Sequence, residues 1–398
     1  MEVREGYKQT EVGVIPDDWE IGRIRNLASI TTGAKNTQDK IEDGEFPFFV
    51  RSSIVEKINT YSFDGEAVLT AGDGVGTGKT FHYINAKFDF HQRVYKISDF
   101  ENGLNGYFFY LYFSNNFYDR IMSMTAKSSV DSVRMEMIAD MIIPLPPLPE
   151  QHAIAAALSD VDALLTALDA LIAKKRLIKQ GAMQELLTGK KRLPGFSGEW
   201  DSPKIGDLFI FKNGLNKAKE FFGYGTPIVN YMDVYGKRGI YSNDLRGRVS
   251  LSGDEVRAFE VRKGDVFFTR TSETAAEVGI SSVMLDQPRD TVFSGFILRA
   301  RPKDNSLDDQ FKKFCFSTDG VRKQITSQST ETTRALTSGR NLSIVAIARP
   351  PLEEQKAIAE LLNDMDAEIA ALEQRREKTR RLKQGMMQEL LTGRTRLL

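Results

Sequence analysis

The sequence has 398 residues, enough for two to three domains with more than one sizeable core. Its 54 lysines and arginines balance 54 aspartates and glutamates, so net charge gives no sign of a free-standing nucleic-acid binder. A single cysteine, Cys315, excludes an intrachain disulfide framework. The first ten residues lack a signal-peptide core, and the most apolar stretch, 153–173, carries three aspartates that exclude a membrane span. We therefore expect a cytoplasmic protein.

Residues 1–146 predict a mixed unit of strands and helices. Short runs rich in aromatic and β-branched residues have the pattern of strands at 46–50, 67–70, 81–84 and 93–97. A helix-like segment rich in phenylalanine and tyrosine follows at 107–122, and a polar loop at 125–134 comes after it. Strands combined with one or two helices indicate an α+β unit.

A glycine-rich segment, residues 72–80, lies between two of the predicted strands. It resembles a phosphate-binding P-loop, but Asp73 occupies a position where that motif has glycine. A P-loop is also followed by a helix whose first turn binds phosphate, whereas a strand pattern follows here. We therefore predict a turn between strands, in which Lys79 and Thr80 are candidates for contact with a nucleic-acid backbone.

A long helix is predicted at 150–188. Proline precedes it and Gly189 follows it, as is common at helix ends. At about 38 residues it would be roughly 57 Å long, since each residue adds 1.5 Å. Apolar side chains recur at alternating steps of three and four, the pattern of a coiled-coil seam: Ile154, Leu158, Val161, Leu165, Leu168 and Ile172.

The second half of the sequence repeats this order. Strand-like runs lie at 227–231, 265–270, 280–285 and 293–300, before a helix-like segment at 307–325 and a polar loop at 329–340. A second long helix is predicted at 354–392, before Gly393, with the seam residues Ile358, Leu362, Met365, Ile369 and Leu372.

The repeat is strongest in the helices. Between 147–193 and 351–397, about 27 of 47 positions are identical without a gap. Trp19 and Gly33 also match Trp200 and Gly214, at an offset of about 181 residues, while the middles of the two units are unrelated. This is the pattern expected of one scaffold that carries two different surfaces.

Charges along the two helices predict that they pack antiparallel. Each helix is acidic in its first half and basic in its second half, so only an antiparallel pair brings opposite charges together along its length. The predicted fold class is α+β, with two globular mixed α/β units separated by a long antiparallel two-helix coiled coil and related by a pseudo-two-fold internal repeat. The predicted boundaries are 1–146, 147–193, 194–349 and 350–398.

Polar loops before each helix, and one after a predicted strand, are candidates for DNA contact. Arginine, lysine and hydroxyl side chains suit phosphate oxygens and guanine edges. With Lys79 and Thr80, the candidate residues are Lys127, Ser128, Ser129, Arg134, Arg270, Thr271, Ser272, Arg334, Ser338 and Arg340. The alternative for each loop is an ordinary solvated turn.

We find no catalytic motif in the sequence. His82, Asp89 and His91 have no cysteine partner or third histidine nearby, so no metal site is predicted. Residues 354–356 have the Glu-x-Lys spacing of many nucleases, but we interpret them as a helix start because the other repeat has His152 in place of the lysine. An adenine-methylation loop and a serine nucleophile elbow are both missing.

With these motifs placed, the sequence resembles a specificity subunit of a type I restriction–modification system. The stretch 144–151 and its partner at 349–355 look like the entry into each conserved helical region of that family. The stretches 184–189 and 388–393, Gln-Glu-Leu-Leu-Thr-Gly in both, look like the exits. The resemblance covers essentially the whole sequence.

The resemblance implies two target-recognition domains, 1–146 and 194–349, each reading one half of a split site in double-stranded DNA. It implies partners as well: methyltransferase (modification) subunits, two in number, and restriction or translocase subunits. S-adenosylmethionine, ATP and magnesium would belong to those partners, so we expect no cofactor and no catalysis in this chain.

Two other functions stay open at this point. A coiled-coil assembly protein that never contacts DNA would explain the helices, but not two different globular units on matching scaffolds. A DNA-modifying enzyme fused to recognition domains would need a catalytic constellation, and we find none in the sequence.

Overall fold

A computed structural model describes residues 4–124, 132–331 and 334–397. The chain divides into two compact units. Unit one is Met1–Asp169 with Gln374–Leu398, and unit two is Ala170–Glu373. Within the described residues, no helix is both long enough and apolar enough to cross a membrane.

Unit one begins with strands and short helices. Its strands are β1 (Tyr7–Thr10), β2 (Gly13–Pro16), β3 (Glu20–Arg23), β4 (Ser29–Thr32), β5 (Phe46–Phe49), β6 (Val55–Ile58), β7 (Phe63–Ala71), β8 (Phe81–Phe90), β9 (Val94–Ser98) and β10 (Ile142–Leu145). Its helices are α1 (Gly106–Ser123) and α2 (Met135–Ala139), with 3-10 turns at Ile24–Asn26 and Thr37–Asp39. The long helix α3 (Leu148–Leu186) follows and continues into unit two.

Unit two has more and shorter elements. Its strands are β11 (Phe209–Asn213), β12 (Phe222–Val229), β13 (Gly239–Ile240), β14 (Arg248–Val249), β15 (Val266–Thr269), β16 (Thr271–Ser272), β17 (Ser281–Met284), β18 (Val292–Phe293), β19 (Ile297–Pro302), β20 (Thr330–Glu331) and β21 (Ala335–Leu336). Its short helices are α4 (Ile205–Leu208), α5 (Tyr231–Val234), α6 (Gly253–Ala258), α7 (Asp309–Cys315), α8 (Asp319–Ser327) and α9 (Gly339–Ser343). Turns of 3-10 helix lie at Lys219–Phe221, Ser242–Asp244 and Ala275–Glu277, and the second long helix is α10 (Leu352–Leu390).

The main sheets of the two units share a topology. Unit one has six strands in the order β4-β9-β7-β8-β5-β6, and unit two has five in the order β11-β19-β15-β17-β13. In each sheet the first three pairings are antiparallel and the fourth is parallel. The mixed α/β units predicted from the sequence are therefore confirmed, and their strand order is the same.

Each unit has its own hydrophobic core against its own helix segments. In unit one, four buried phenylalanines of α1 pack with Ile154 and Leu158 of α3 and with Leu390 and Leu391. In unit two, Phe268, Phe311 and Phe314 pack with Ile358 and Leu362 of α10. Burial of these apolar side chains stabilises each unit.

The predicted helix seam is buried or half-buried at every position. Ile154, Leu158, Leu168 and Ile172 of α3 are buried, as are Ile358, Leu362 and Ile369 of α10, and the other predicted seam residues are half-buried. Both helices begin and end two residues earlier than predicted. Gly189 and Gly393 follow them at φ angles of +72° and +69°, left-handed values that suit glycine.

The helix segments within each unit run antiparallel, as the charge pattern predicts. In unit one, Asp162 pairs with Lys383 at 2.7 Å and Asp169 pairs with Arg376 at 2.9 Å. Residue numbers rise along one segment while they fall along the other. In unit two, α3 cations pair with α10 carboxylates in the same sense: Lys175 with Glu368, Arg176 with Glu373 and Lys179 with Asp366.

Several expectations about local structure need correction, among them the strand run 227–231, because β12 ends at Val229 and α5 begins at Tyr231. The segment 307–325 is two helices, α7 and α8, because the Thr318 hydroxyl accepts from the Val321 amide and starts a new helix. The run 293–300 is not one strand, because residues 294–296 form a turn between β18 and β19. Arg93 lies before β9 rather than inside it.

Candidate nucleic-acid interface

In unit one, the structure brings the glycine-rich loop and the polar loop together. Residues 72–80 connect β7 to β8, as predicted, so no helix follows them that could bind a phosphate in the P-loop manner. The Val133 amide donates to the Gly72 carbonyl at 2.7 Å, and Asp73 forms a β-bridge with Ser132. Two segments about 60 residues apart thus form one surface.

The predicted residues of this surface differ in exposure. Lys79 is exposed and its ammonium lies 5.1 Å from the centre of the Tyr118 ring, whereas Thr80 is buried. Arg134 is exposed and precedes α2. The other three predicted residues, Lys127, Ser128 and Ser129, lie outside the described residues. Lys79 and Arg134 are therefore the described cations of the predicted set that face solvent here.

Two further arginines adjoin this loop. Arg51 Nη1 lies 2.9 Å from Asp73 Oδ1, and Arg93 Nε lies 3.8 Å from Asp73 Oδ2. One carboxylate beside two arginines leaves a local excess of positive charge, which suits phosphate and guanine. Neither arginine was among the residues predicted from the sequence.

Unit two pairs the corresponding loops through the same backbone contacts. Thr337 donates its amide to the Arg270 carbonyl at 2.9 Å, in the manner of Val133 and Gly72. Strand β16, directly after Arg270, pairs with β21 antiparallel, and β21 also pairs with β20. The predicted residues on both sides of this small sheet are therefore neighbours.

Several of the predicted residues in unit two have structural contacts. Ser272 is buried and donates to Glu277 Oε2 at 2.6 Å, while Tyr235 donates to Glu277 Oε1 at 2.7 Å. These hydrogen bonds, first that from Ser272, lower the pKa of Glu277. The hydroxyl of Ser338 caps α9 by accepting from the Asn341 amide at 3.2 Å. The surface is thus held in place by part of its own polar side chains.

The remaining predicted residues of unit two are exposed or half-buried. Arg334 and Arg340 are exposed, whereas Arg270 and Thr271 are half-buried, and Arg270 Nη1 lies 3.5 Å from the Gly295 carbonyl. Arg334 and Thr271 line a cavity of about 410 Å³. Apolar side chains line the same cavity, among them Met232 and Phe296, which are 67% and 66% exposed.

Phe296 was not predicted from the sequence because the strand pattern of 293–300 runs through it. Gly295 was the available signal, since glycine inside a strand pattern often marks a break. Tyr231 was missed because the strand pattern of 227–231 includes it, whereas β12 ends at Val229 and Tyr231 begins α5. No motif in the sequence selected Met232 or Tyr235. Their place beside Arg334 depends on the tertiary fold.

Two histidines of unit one, His82 and His91, form hydrogen bonds within the protein. His82 Nε2 lies 3.1 Å from the Ser52 carbonyl, and burial lowers the pKa of His82. His91 Nδ1 accepts from the Arg93 amide at 2.9 Å, and Asp89 accepts from the hydroxyls of Thr60 and Ser62. Throughout residues 4–124, 132–331 and 334–397, no group of three or more His, Cys, Asp or Glu side chains is arranged to hold a metal ion.

Comparisons with known proteins agree with this architecture. The family model described as the type I restriction modification DNA specificity domain matches residues 16–178 and again 197–380. The type I restriction enzyme MjaVIII specificity subunit of Methanocaldococcus jannaschii is 23% identical over 416 residues, which cover 99% of this chain and 96% of that protein. The EcoKI specificity subunit of Escherichia coli K12 is 21% identical, over 91% of this chain and 85% of that protein.

Solved structures show the same fold. The S subunit of a type I restriction-modification system from M. genitalium superposes with a TM-score of 0.61 at 14% identity, covering 98% of both chains. A chain from a study of complex assembly and conformational transition in a type I R-M system gives 0.57 at 17% identity, covering 95% and 99%. With two matches of the family model over most of its length, the chain belongs to the type I restriction-modification DNA specificity family, as its sequence motifs predicted.

Proposed function

We propose that this chain is the sequence-specific DNA-recognition subunit of a type I restriction-modification enzyme, and that it reads a bipartite, asymmetric site with one unit per half-site. One observation carries this proposal. Each unit joins the same two loops through the same backbone contacts, Gly72 with Val133 and Arg270 with Thr337, yet the side chains on those loops differ. Two units that recognise different half-sites require the same scaffold with different exposed side chains.

We further propose that α3 and α10 form an antiparallel coiled coil that spaces the two units. At 39 residues each helix is roughly 58 Å long, since each residue adds 1.5 Å. DNA advances about 34–36 Å per turn. The centres of the two half-sites should therefore lie about one to one and a half turns apart, with an unread gap between them.

Catalysis would belong to partner subunits. We expect two methyltransferase subunits and restriction or translocase subunits to dock on this chain and to carry S-adenosylmethionine, ATP and magnesium. The relatives named above are specificity subunits of restriction enzymes, which supports this assignment. The purified chain alone should neither methylate nor cut DNA with these cofactors supplied, and activity that survives removal of partners would contradict the proposal.

The test of modular recognition is an exchange of residues 195–345 for the second unit of another family member. The hybrid is assembled with the methyltransferase subunits, and its target is mapped by sequencing methylated DNA. We expect one half-site to change while the other half-site and the gap stay the same. A change in both half-sites together would refute recognition by separate units.

A further inference from the structure

One backbone position near the candidate interface is equivalent in the two units but carries different chemistry. It lies just before strand β9 in unit one, where the residue is Arg93, and just before β19 in unit two, where the residue is Phe296. Neither residue belongs to the set selected from the sequence.

The equivalence is shown by four matching hydrogen bonds. Each turn is closed by a bond to its first carbonyl, Val94 to His91 at 2.9 Å and Ile297 to Ser294 at 3.2 Å. The first amide of each turn donates to the last carbonyl of a neighbouring strand, His91 to Phe49 at 2.9 Å and Ser294 to Val229 at 3.0 Å. Two further bonds match. Gln92 donates to Lys35 and Gly295 donates to Leu215, both at 2.8 Å, while Gly72 donates to Arg93 at 2.8 Å and Arg270 donates to Phe296 at 3.2 Å.

Both turns are also fixed by close packing. A Cβ on Gly33 would lie 2.0 Å from the Phe90 carbonyl oxygen, and a Cβ on Gly214 would lie 2.0 Å from that of Ser294. In unit two, a Cβ on Gly295 would lie 2.1 Å from Asn216 Oδ1. These contacts hold the backbone before Arg93 and Phe296 in one conformation.

Despite this fixed backbone, both side chains extend into solvent. The side chain of Arg93 is 66% exposed, and Phe296 is 66% exposed. Each residue is joined to the paired loops by one backbone hydrogen bond. Gly72 donates to Arg93 and accepts from Val133, and Arg270 donates to Phe296 and accepts from Thr337. In unit two, an aromatic ring on a fixed backbone is exposed to water beside a loop that carries an arginine. Such an exposed apolar group is well suited to contact an apolar group of a binding partner.

The surroundings indicate which group each residue contacts. Phe296 borders the cavity that also contains Met232, Arg334 and Glu273, so apolar, cationic and acidic groups are mixed there. That mixture suits base edges better than phosphates. Arg93 stands beyond hydrogen-bonding distance of Asp73, at 3.8 Å, while Arg51 binds the same carboxylate at 2.9 Å. Arg93 is thus able to reach outward.

We propose that this position reads one base in each half-site: Phe296 contacts the C5-methyl group of a thymine, and Arg93 donates to O6 and N7 of a guanine. Phenylalanine against the thymine methyl and arginine against guanine are favoured pairings in the major groove. The inference rests on the proposed function and adds the base class that each unit requires at this position.

The thymine contact is tested by replacing each thymine of the unit-two half-site with deoxyuridine, which lacks only the methyl group. Binding of the assembled complex is measured for the wild type, Phe296→Ala and Ile210→Ala. Ile210 is 57% exposed on β11 and serves as the matched control. At one thymine we expect deoxyuridine to weaken wild-type and control binding about fourfold, the value of one buried methyl-sized group. Phe296→Ala should lose that sensitivity, and Phe296→Leu should keep part of it.

The guanine contact is tested with 7-deazaguanine in the unit-one half-site, which removes the N7 acceptor. At one guanine the wild type should bind about tenfold more weakly, and Arg93→Ala should show no further loss at that base. Arg23→Ala is the control, since Arg23 lies on β3 and its guanidinium faces Asp140 at 3.9 Å. It should keep the wild-type response.

The outcomes separate this inference from the proposed function. If the complex binds its split site but no deoxyuridine effect depends on Phe296 and no 7-deazaguanine effect depends on Arg93, this position does not read bases and the inference is wrong. If the complex shows no preference for any split site, the proposed function fails and the inference fails with it. Melting temperatures of the variants confirm that each is folded.

Discussion

The two units anchor their helices in the same way. In unit one, the Trp19 indole donates to Glu150 at 2.9 Å, and Arg396 binds the same carboxylate at 2.7 Å. In unit two, the matching bonds join Trp200 to Glu354 at 2.9 Å and Arg192 to Glu354 at 2.6 Å. The identical positions of the sequence repeat are thus the residues that fix each globular part to its helices.

A second anchor lies next to the first. Gln151 accepts from the Asn105 amide and donates to the carbonyls of Gly103 and Pro146. Gln355 makes the matching bonds with Asp308, Ser306 and Pro350, all within 2.8–2.9 Å. Both glutamine side chains thereby hold the start of a helix on which the sheet packs.

Away from these anchors, equivalent residues of the long helices have different neighbours in the two units. Asp162 in unit one has Lys383 and the Tyr107 hydroxyl as neighbours. Burial of Tyr107 and, second, the charge of Asp162 raise the pKa of Tyr107 to about 12. Asp366 in unit two has Lys179 and, at 3.9 Å, Arg238. The two units therefore share the contacts that attach each globular part to its helices, while their loops and the surfaces that face the helices differ.

The largest expected effect is loss of the glutamine anchor. Gln355→Ala leaves the buried Pro350 carbonyl without its partner, together with the half-buried Asp308 amide and Ser306 carbonyl. An unpaired buried group costs about 1–3 kcal/mol and the loss of a half-buried hydrogen bond about 0.5–1.5 kcal/mol, so the free energy of unfolding should fall by about 2–6 kcal/mol. Gln151→Ala should cost a similar amount, which urea unfolding monitored by circular dichroism would measure.

The matched control is Glu353→Ala, two residues earlier on an exposed position of α10 whose side chain is 75% exposed. It should change the unfolding free energy by no more than about 0.5 kcal/mol. Losses for Gln151→Ala and Gln355→Ala that differ severalfold would break the equivalence of the two units.

A smaller effect is expected from the loop arginines, which should differ between the units. Alanine in place of a base-reading residue among Arg134, Arg270, Arg334 and Arg340 should cost about 1–3 kcal/mol and relax preference at one position. A phosphate contact should instead weaken binding to all sequences and flatten the salt dependence. Lys127 belongs to the same prediction.

Binding of the assembled complex to its site and to single-base variants, over a range of salt concentrations, distinguishes these cases. Arg257→Ala is the control, because Arg257 is 76% exposed on α6 and pairs with Asp254. If affinity does not change for any of the five replacements, the predicted loops are not the interface.

The smallest effect concerns acid stability. The hydrogen bond from Arg396 lowers the pKa of Asp18, and that from Arg349 lowers the pKa of Asp201. A lowered carboxyl pKa adds stability above the ordinary value of about 3.9, and this stability is lost as pH falls through the lowered pKa. Arg396→Ala should therefore flatten the loss of stability below about pH 4, and Arg349→Ala should do so in unit two.

Unfolding free energies measured from about pH 6 down to pH 2 test the slopes. Arg396 also binds Glu150, so its replacement lowers stability at every pH, and only the change of slope is diagnostic. An unchanged acid slope in both variants would show that these aspartates do not contribute to the pH dependence.

The sequence by itself determined the parts of this protein that depend on local pattern. Apolar steps of three and four identified the long helices, and prolines and glycines at their ends placed them within two residues. Opposite charges along them predicted their antiparallel contacts. Trp19, Trp200, Gly33 and Gly214 were visible as a repeat, although their roles as hydrogen-bond donors and close-contact sites were not. The strand pattern after Thr80 was sufficient to exclude a P-loop.

Only the tertiary structure decided which side chains share a surface. Gly72 meets Val133, and Arg270 meets Thr337, because the sheet places distant loops side by side, and no local periodicity records that pairing. Phe296 has the sequence pattern of a buried strand residue, yet a turn held by Gly214 and Gly295 exposes it. Glu150 and Gln151 resemble an ordinary helix start, but they are buried among backbone groups and a tryptophan that lie far away in the sequence. Local patterns determine elements, whereas burial and exposure follow from contacts between residues far apart in the chain.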